Sequence, residues 1–183
     1  MHITTSQTDR DLLQILALQQ INLPKNLSPE EIEREGFVTV MHRFEDLKKM
    51  NGYEQSVIAK ENEAVVAYLI AMTENSKLDI PILVPMFEVF NEIIFKGKKI
   101  SEYNYLVVGQ VCVAKAFRGQ RLLDACYAEY KKRFAEKYAF AITEISKKNP
   151  RSLKAHERIG FKTVHEYMDS FGVDWCIVLW DWS

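Results

Sequence analysis

The residues best suited to chemistry form a short loop, Arg118-Gly119-Gln120-Arg121, between an apolar strand and the most regular helix of the chain. At a helix start the first backbone N–H groups have no partner within the helix, and the helix dipole adds about half a positive charge. Such a loop can bind a diphosphate, with Gly119 allowing close approach and Arg118 and Arg121 adding charge. The alternative is a plain strand-to-helix turn in which glycine meets a steric need.

Two common nucleotide-binding motifs are absent, because the sequence contains neither GxxxxGK[ST] nor GxGxxG. A second polar motif follows downstream, where Asn149 precedes Pro150 and Gly160 precedes Phe161. Asn is a favoured helix N-cap, Pro is favoured at the first helical position, and Gly is favoured just past the end. This pattern predicts a short helix between Asn149 and Gly160.

The region from Val108 to Phe161 resembles the acetyl-CoA-binding core of the GNAT N-acetyltransferase superfamily. The family's pyrophosphate loop reads Q/R-x-x-G-x-G/A, usually R-G-x-G-x-G after a V-x-V strand. Here Val111-Cys112-Val113 precedes a loop in which Arg118 and Gly119 match, whereas Arg121 and Leu123 replace small residues. The segment 149–161 is similar to the family's N-x-x-A/S-x-x-x-Y-E-K-x-G-F.

The resemblance implies a GNAT-like α/β fold: a mixed, mostly antiparallel sheet with a central parallel, splayed strand pair and helices on both faces. It also implies an enzyme that moves an acetyl group from acetyl-CoA, as co-substrate, to an amine of a small molecule or protein. A bulge at Gly109 would splay the strand, so that pantetheine amides can pair with its backbone. The implied cofactor-binding residues are Val111, Cys112, Val113, Arg118, Gly119, Gln120, Arg121, Leu122, Leu123, Asn149 and Ser152.

Two catalytic residues are proposed, His156 from the resemblance and Glu144 from its position at a strand end near the expected active centre. His156 stands where the family has a Tyr that protonates the departing thiolate, and an imidazole with an unperturbed pKa near 6.5 could do this. The alternative is a core histidine that satisfies a backbone carbonyl. Glu144 is a candidate general base, beside Glu102 and Tyr105; its alternative is a solvated carboxylate at a strand end. A base acting through water, or an amine that is deprotonated before it binds, would need none of the three. A backbone N–H on the strand 111–113 is the implied oxyanion donor.

Hydrophobic periodicity predicts the elements that position these residues. We expect helices over 9–23 with Thr8 as N-cap, from Ser28-Pro29 onward, over 86–95 and over 121–137. We expect strands over 56–60 and 63–72 around a turn at Glu61-Asn62, then over 105–114, 139–145, 161–167 and 175–180. The segment 74–104 and the first two helices are expected to form the acceptor pocket, where Glu88, Glu92 and Glu102 could recruit a cationic amine.

Composition narrows the class of protein. The 183 residues fit one domain spanning 1–183, and a formal net charge of −1 gives no general attraction to nucleic acid or anionic membrane. Three widely spaced cysteines predict buried free thiols, no metal site and a reducing, cytoplasmic compartment. No apolar stretch is long enough for a membrane span.

Two rival functions remain open at this point. One is a non-catalytic acyl-CoA-binding regulatory module on the same fold, which the altered loop and the missing Tyr would favour. The other is an interaction protein, in which Trp175, Trp180 and Trp182 form an exposed patch for a partner or a second copy, with a homodimer as one form.

Overall fold

A computed structural model describes residues 1–183 and contains a seven-stranded sheet. Along the sheet the order is β1-β2-β3-β6-β7-β9-β8, and every neighbouring pair is antiparallel except β6 and β7. Two further strands, β4 and β5, form a small separate hairpin. The strands are β1 His2–Thr5, β2 Val57–Glu61, β3 Ala64–Met72, β4 Ile94–Phe95, β5 Lys98–Lys99, β6 Leu106–Val113, β7 Phe140–Ser146, β8 Lys162–Met168 and β9 Asp174–Asp181.

Seven α-helices flank the sheet on both faces, as expected. One apolar core contains residues of α1, α3 and α5, and the other contains residues of α6 and lies against α7. The helices are α1 Asp9–Ile21, α2 Pro29–Glu35, α3 Phe44–Tyr53, α4 Ser76–Asp79, α5 Val84–Glu92, α6 Leu122–Phe134 and α7 Pro150–Ile159. No helix has the length and apolar character needed to cross a membrane.

Local capping chemistry explains the helix starts that the sequence predicted. Thr8 and Ser28 each accept a backbone N–H and form a capping box, and Asn149 accepts the N–H of Ser152 at 3.2 Å. The expected start of α6 at Arg121 is wrong by one residue, because Arg121 is its left-handed N-cap, with φ 57°.

Two other differences have backbone causes. The expected helix over 86–95 ends at Glu92, because Lys96 and Gly97 both have positive φ and close the hairpin of β4 and β5. The turn expected at Glu61-Asn62 lies one residue later, at Asn62 and Glu63, whose φ values are 48° and 66°. The strand β1 and the helix α3 were not predicted.

The parallel pair β6 and β7 separates after two residues on each strand. Pairing is confined to Leu106 with Ala141 and Val107 with Ile142. Next to this point the register of β6 against β3 shifts around Gly109, as expected for a bulge. From Val108 onward the β6 edge therefore faces a gap rather than a strand. The Thr143 hydroxyl bridges this gap by donating to the Val108 carbonyl at 2.8 Å.

An irregular segment, residues 36–43, connects α2 to α3; we call it the strap. Its backbone is held along its length: the Val38 N–H donates to the Asn22 carbonyl, and the Gln110 amide donates to the Val40 carbonyl at 2.8 Å. Near its end the His42 N–H donates to Gln19. These bonds fix the strap beside the gap between β6 and β7.

Candidate active site

A cavity of about 460 Å³ lies where β6 ends and α6 and α7 begin. The strap and α2 form its opposite wall. Every residue expected to bind the cofactor lines it except Gln120. The residues expected there are Val111, Cys112, Val113, Arg118, Gly119, Arg121, Leu122, Leu123, Asn149 and Ser152, and His156 joins them. The residues expected to bind the cofactor therefore lie together around one cavity, and their contact with a cofactor stays a prediction.

The charge of this cavity is opposite to that of the whole chain. Five cationic side chains line it against two acidic ones, a net charge of +3, whereas the chain carries −1. The cations are Arg118, Arg121, Arg151, Lys154 and Arg158, and the acids are Glu35 and Asp124. A concave site with this excess attracts a multiply charged anion.

The loop before α6 is open toward solvent and the cavity. Gly119 has φ +75°, and a side chain built there would meet nothing within 4 Å. The backbone conformation thus favours glycine, and no packed neighbour fills the space above it. Gln120 is exposed and donates to the Ala116 carbonyl at 3.0 Å, so its side chain contributes to the loop rather than to the cavity.

Arg118 has a structural task. Its guanidinium donates to the Val113 carbonyl, the Glu35 carboxylate and the Asn22 side chain at 2.9, 2.9 and 2.6 Å. The Arg118 guanidinium holds the pKa of the Glu35 carboxyl below its usual range. Because this charge is neutralised within the protein, Arg118 joins the loop to α2 rather than offering a free cation.

The strand segment Val111–Val113 presents backbone to the cavity on the side that β7 leaves open. Cys112 is buried, and burial raises the pKa of its thiol to about 12. The group therefore stays a thiol at neutral pH and is not an activated nucleophile. All three cysteines are free and buried.

Asn149 connects α7 to the strap. While its Oδ1 caps α7, its Nδ2 donates to the Phe37 carbonyl at 3.0 Å. A side chain at Gly36 would place its Cβ 2.7 Å from that Oδ1, so the strap approaches as closely as glycine permits. The N-cap role is confirmed, and a contact of Asn149 with pantetheine stays a prediction.

His156 is 2% exposed, and both ring nitrogens have partners. Nδ1 lies 2.8 Å from the Ser152 carbonyl, which can only accept, so Nδ1 carries the proton and Nε2 accepts from the Tyr127 hydroxyl at 2.7 Å. Burial lowers the pKa of His156 to about 4. The assumption of an unperturbed pKa is therefore wrong, and the ring is neutral at pH 7. This geometry favours the alternative, a core histidine that satisfies a carbonyl.

A smaller cavity of about 70 Å³ fills the gap between β6 and β7 and shares six lining residues with the large one. Glu144 lies here, half-buried, and its Oε2 accepts from the Tyr167 hydroxyl at 2.5 Å. Burial raises the pKa of Glu144; the Tyr167 hydrogen bond lowers it, and nearby Asp169 raises it again. Glu144 is thus no solvated strand-end group. The shared residues are Phe37, Val38, Val111, Asn149, Ser152 and His156.

The other candidate bases and the expected acceptor segment lie elsewhere. Glu102 accepts the Lys99 N–H, and Tyr105 is buried against Phe140; neither lines a described cavity. No residue of 74–104 lines either cavity. Its buried residues belong to the apolar core that also contains α1 and α3. The expectation that this segment helps to form the acceptor pocket stays a prediction. The first helices do contribute, through Asn22 and Glu35.

Sequence reasoning missed the strap, Gln110 and Tyr167 as parts of the site. The expected exposed tryptophan patch is also absent. Trp180 and Trp182 share a face, with ring centroids 5.7 Å apart, but pack against the core of α6, whereas Trp175 lines the small cavity. A homodimer stays a prediction.

The fold and site define an α/β protein with a split central sheet and a cationic cleft for a large anion. The family model for GNAT acetyltransferases matches residues 17–161. The chain therefore belongs to the acetyltransferase (GNAT) family, whose acyl donor is acetyl-CoA. No curated protein is close enough in sequence to match it.

Solved structures agree on the fold. The ribosomal-protein-S18-alanine N-acetyltransferase of Escherichia coli is similar with a TM-score of 0.65 at 13% identity, over 100% of this chain and 94% of that one. A GNAT acetyltransferase from Streptococcus agalactiae gives 0.66 at 14%, over 98% and 94%. The NatB acetyltransferase complex bound to CoA and MES gives 0.67 at 12%, over 99% of both chains.

Proposed function

We propose that this chain acts as a single-domain enzyme that transfers the acetyl group of acetyl-CoA to a primary amine of a small molecule or peptide, in the cytoplasm. The observation that carries the proposal is that the two cavities lie side by side and share six lining residues. Ser152 and Asn149 are among the residues between the cationic cleft and the gap where Glu144 lies. A donor in the first cavity and an amine in the second would meet beside the open edge of β6.

The residues of the large cavity suit the donor in size and charge. The backbone N–H groups of residues 119–123, in the loop and at the start of α6, are suited to the diphosphate, since a helix start favours anions. The unpaired edge of β6 is suited to the pantetheine amides, which can hydrogen-bond as an added strand does. The free cysteines agree with a reducing compartment.

Acetyl transfer needs a neutral amine, a stabilised oxyanion and departure of a thiolate. The amine nitrogen bonds to the thioester carbon, the C–S bond breaks, and the amine loses a proton. Glu144 is suited to accept that proton, because it lies in the gap with one oxygen held by Tyr167 and the other free of hydrogen bonds within the chain. A backbone N–H of Val111–Val113 is suited to the oxyanion.

His156 has a changed role in this proposal. Its Nδ1 proton is hydrogen-bonded to the Ser152 carbonyl. If His156 gave up that proton and took a new one at Nε2 from the Tyr127 hydroxyl, Tyr127 would be left as a buried tyrosinate. Burial already raises the pKa of Tyr127 well above its usual value. We therefore assign His156 to positioning α7 and Ser152.

Kinetics of Glu144→Gln test the proposal. Thiol release from acetyl-CoA is measured with a panel of small primary amines and peptides with a free N-terminus. Loss of the base should lower kcat by roughly 10²-fold or more while the affinity for acetyl-CoA stays unchanged. Glu166→Gln is the matched control, because Glu166 is an exposed carboxylate on β8, the edge strand beyond β9, and lines neither cavity.

The pH dependence gives a second readout. The carboxylate is the basic form, so kcat/KM of the wild type should fall as the pH falls through the pKa of Glu144. Burial places that pKa above the usual carboxyl range. An acidic limb that persists in Glu144→Gln would refute the assignment. Tight acetyl-CoA binding with no amine-dependent thiol release would instead support the non-catalytic module.

A further inference from the structure

The small cavity between β6 and β7 differs from the large one in size and in charge. It measures about 70 Å³ against about 460 Å³, and Glu144 is the one charged group among its 15 lining residues, since buried His156 is neutral at pH 7. One water needs about 10–15 Å³ of such space, so a chain of about five non-hydrogen atoms fits the cavity. A lone carboxylate there favours a group that is basic or positively charged.

Trp175 forms the wall of this cavity on the β9 side. Its partner on β7 is Ser146, so its side chain lies on the same face of the sheet as Glu144. The Trp175 indole N–H donates to Asp169 Oδ2 at 2.9 Å. Asp169 Oδ1 accepts two backbone N–H groups of the turn between β8 and β9, both at 2.9 Å. This turn therefore fixes the indole beside the cavity.

The other walls of the small cavity are fixed by hydrogen bonds as well. Strap residues 37–39 form one of them, and their backbone bonds to the Asn22 carbonyl and to the Asn149 side chain. The Tyr167 hydroxyl holds one oxygen of Glu144. Since each wall is bonded in place, widening the cavity would break at least one of these bonds. The cavity can therefore select a ligand by its width.

We propose that the acceptor is an unbranched primary amine, the end of an aminoalkyl chain, and that Trp175 sets this specificity. The inference rests on the proposed function, because it names the substrate class of the same site; the reaction itself is unchanged. An aminobutyl chain has the length that the cavity admits, and its nitrogen would lie beside the Glu144 carboxylate. An α-amine carries a side chain and a peptide group on the carbon next to its nitrogen. The cavity has no room for both beside Trp175.

Two isomers of acetyl-lysine amide test the proposal with the wild-type enzyme. Nα-acetyl-lysine amide offers the unbranched ε-amine, whereas Nε-acetyl-lysine amide offers the branched α-amine. An α-amine loses its proton about 2.5 pH units below an ε-amine, so uncatalysed acetylation favours the α-amine. The enzyme should reverse this order, with kcat/KM roughly 10-fold or more higher for the ε-amine, measured as thiol release from acetyl-CoA.

1,4-Diaminobutane presents the same aminoalkyl chain without a peptide group. Its kcat/KM, compared with that of Nα-acetyl-lysine amide, distinguishes a free diamine from a lysine side chain as the source of the chain. A preference for either one over the α-amine supports the proposal.

Two variants test the part of Trp175. Trp175→Ala should raise kcat/KM for the α-amine by roughly 10-fold and change that for the ε-amine by less than about threefold. Asp169→Asn should act in the same direction, because the retained oxygen can still accept the turn N–H groups while the new amide cannot accept the indole N–H. Phe171→Ala is the matched control, since Phe171 is 90% exposed on the same turn and lines neither cavity.

The outcomes separate this inference from the proposed function. Equal kcat/KM for the two isomers, or a higher value for the α-amine, would overturn the substrate class and leave acetyl transfer intact. An unchanged ratio in both Trp175→Ala and Asp169→Asn would overturn the role of Trp175. Absence of thiol release with every amine would overturn the proposed function together with the inference.

Discussion

At the scale of single residues, His156 was expected to supply a proton near neutral pH because a free imidazole has a pKa near 6.5. Burial lowers that pKa and removes the basis for the expectation. Its folded-state pKa of about 4 lies below the usual 6.5, so between these pH values the unfolded chain binds a proton at His156 and the folded chain does not. The stability that the neutral ring contributes is complete above pH 6.5 and is lost as the pH falls toward 4. His42 is buried with its pKa lowered to about 4 as well, so it contributes in the same direction.

His156→Phe is predicted to reduce this acid sensitivity. Between pH 7 and pH 5 the free energy of unfolding of the wild type should fall by about 2 kcal/mol for each buried histidine. In the variant this fall should be smaller by about 2 kcal/mol, because one of the two histidines is gone. At pH 7 the variant should be less stable by about 1–3 kcal/mol, since the Tyr127 hydroxyl loses its acceptor. Urea unfolding at the two pH values measures both effects.

Turnover of the same variant separates positioning from acid catalysis. In the positioning role, kcat per folded molecule should fall by less than roughly 10-fold, whereas loss of a general acid would lower it by roughly 10²-fold or more. The contrary result would be a large loss of kcat that His156→Tyr restores. In that case His156 would be the proton donor to the departing thiolate.

At the scale of elements, the strap is the part of the site most sensitive to backbone change. It forms a wall common to both cavities through Phe37 and Val38, and Asn149 holds it against α7. Gly36→Ala should displace it, because the added Cβ would lie 2.7 Å from Asn149 Oδ1. We expect a higher KM for acetyl-CoA and a lower kcat/KM, measured by steady-state kinetics.

Gly97→Ala is the matched control for this change. Both glycines have positive φ, 74° and 81°, so each alanine variant carries a similar conformational strain of about 1 kcal/mol. At Gly97 nothing lies within 4 Å of the added Cβ, and the hairpin of β4 and β5 lines neither cavity. Equal kinetic effects in the two variants would show that strain alone, and not the strap, is responsible.

The difference between local and long-range contacts explains how much of the site the sequence predicted. The loop 118–121 and the cap at Asn149 were found because their signals are local: a glycine, a capping residue and helical spacing within a few positions. The contact of Gln110 with Val40 spans 70 residues, and that of Tyr167 with Glu144 spans 23. Such contacts depend on sheet order and strand register, which no short pattern encodes.

Two of the elements that the sequence left unassigned, β1 and α3, are too polar to give a clear hydrophobic pattern. The edge strand β1 reads HITT and pairs on one side only, so it has no apolar run to mark it. The N-cap of helix α3 is Arg43, whose side chain pairs with Asp46 rather than accepting a backbone N–H as a usual N-cap does. Tertiary packing of Leu47 and Met50 stabilises that helix.

At the scale of the whole molecule, the large cavity connects parts of the chain that are far apart in sequence. Its walls come from α2 and the strap on one side and from β6, α6 and α7 on the other. The two apolar cores lie on opposite faces of the sheet, and the cleft opens at the edge where β6 and β7 separate. A ligand that fills the cleft would therefore contact both groups of elements at once.

Acetyl-CoA is accordingly predicted to stabilise the entire fold rather than one loop. A ligand that binds only the native state at 100 times its dissociation constant adds about 2.7 kcal/mol, which raises the Tm of a chain of this size by about 5–10 °C. A thermal melt with and without acetyl-CoA measures the shift, with inorganic diphosphate as the control for general anion effects. Gly119→Val should melt slightly lower and lose most of the shift, since its side chain would enter the open space above the loop. An unchanged Tm of the wild type at millimolar acetyl-CoA would contradict the proposed donor site.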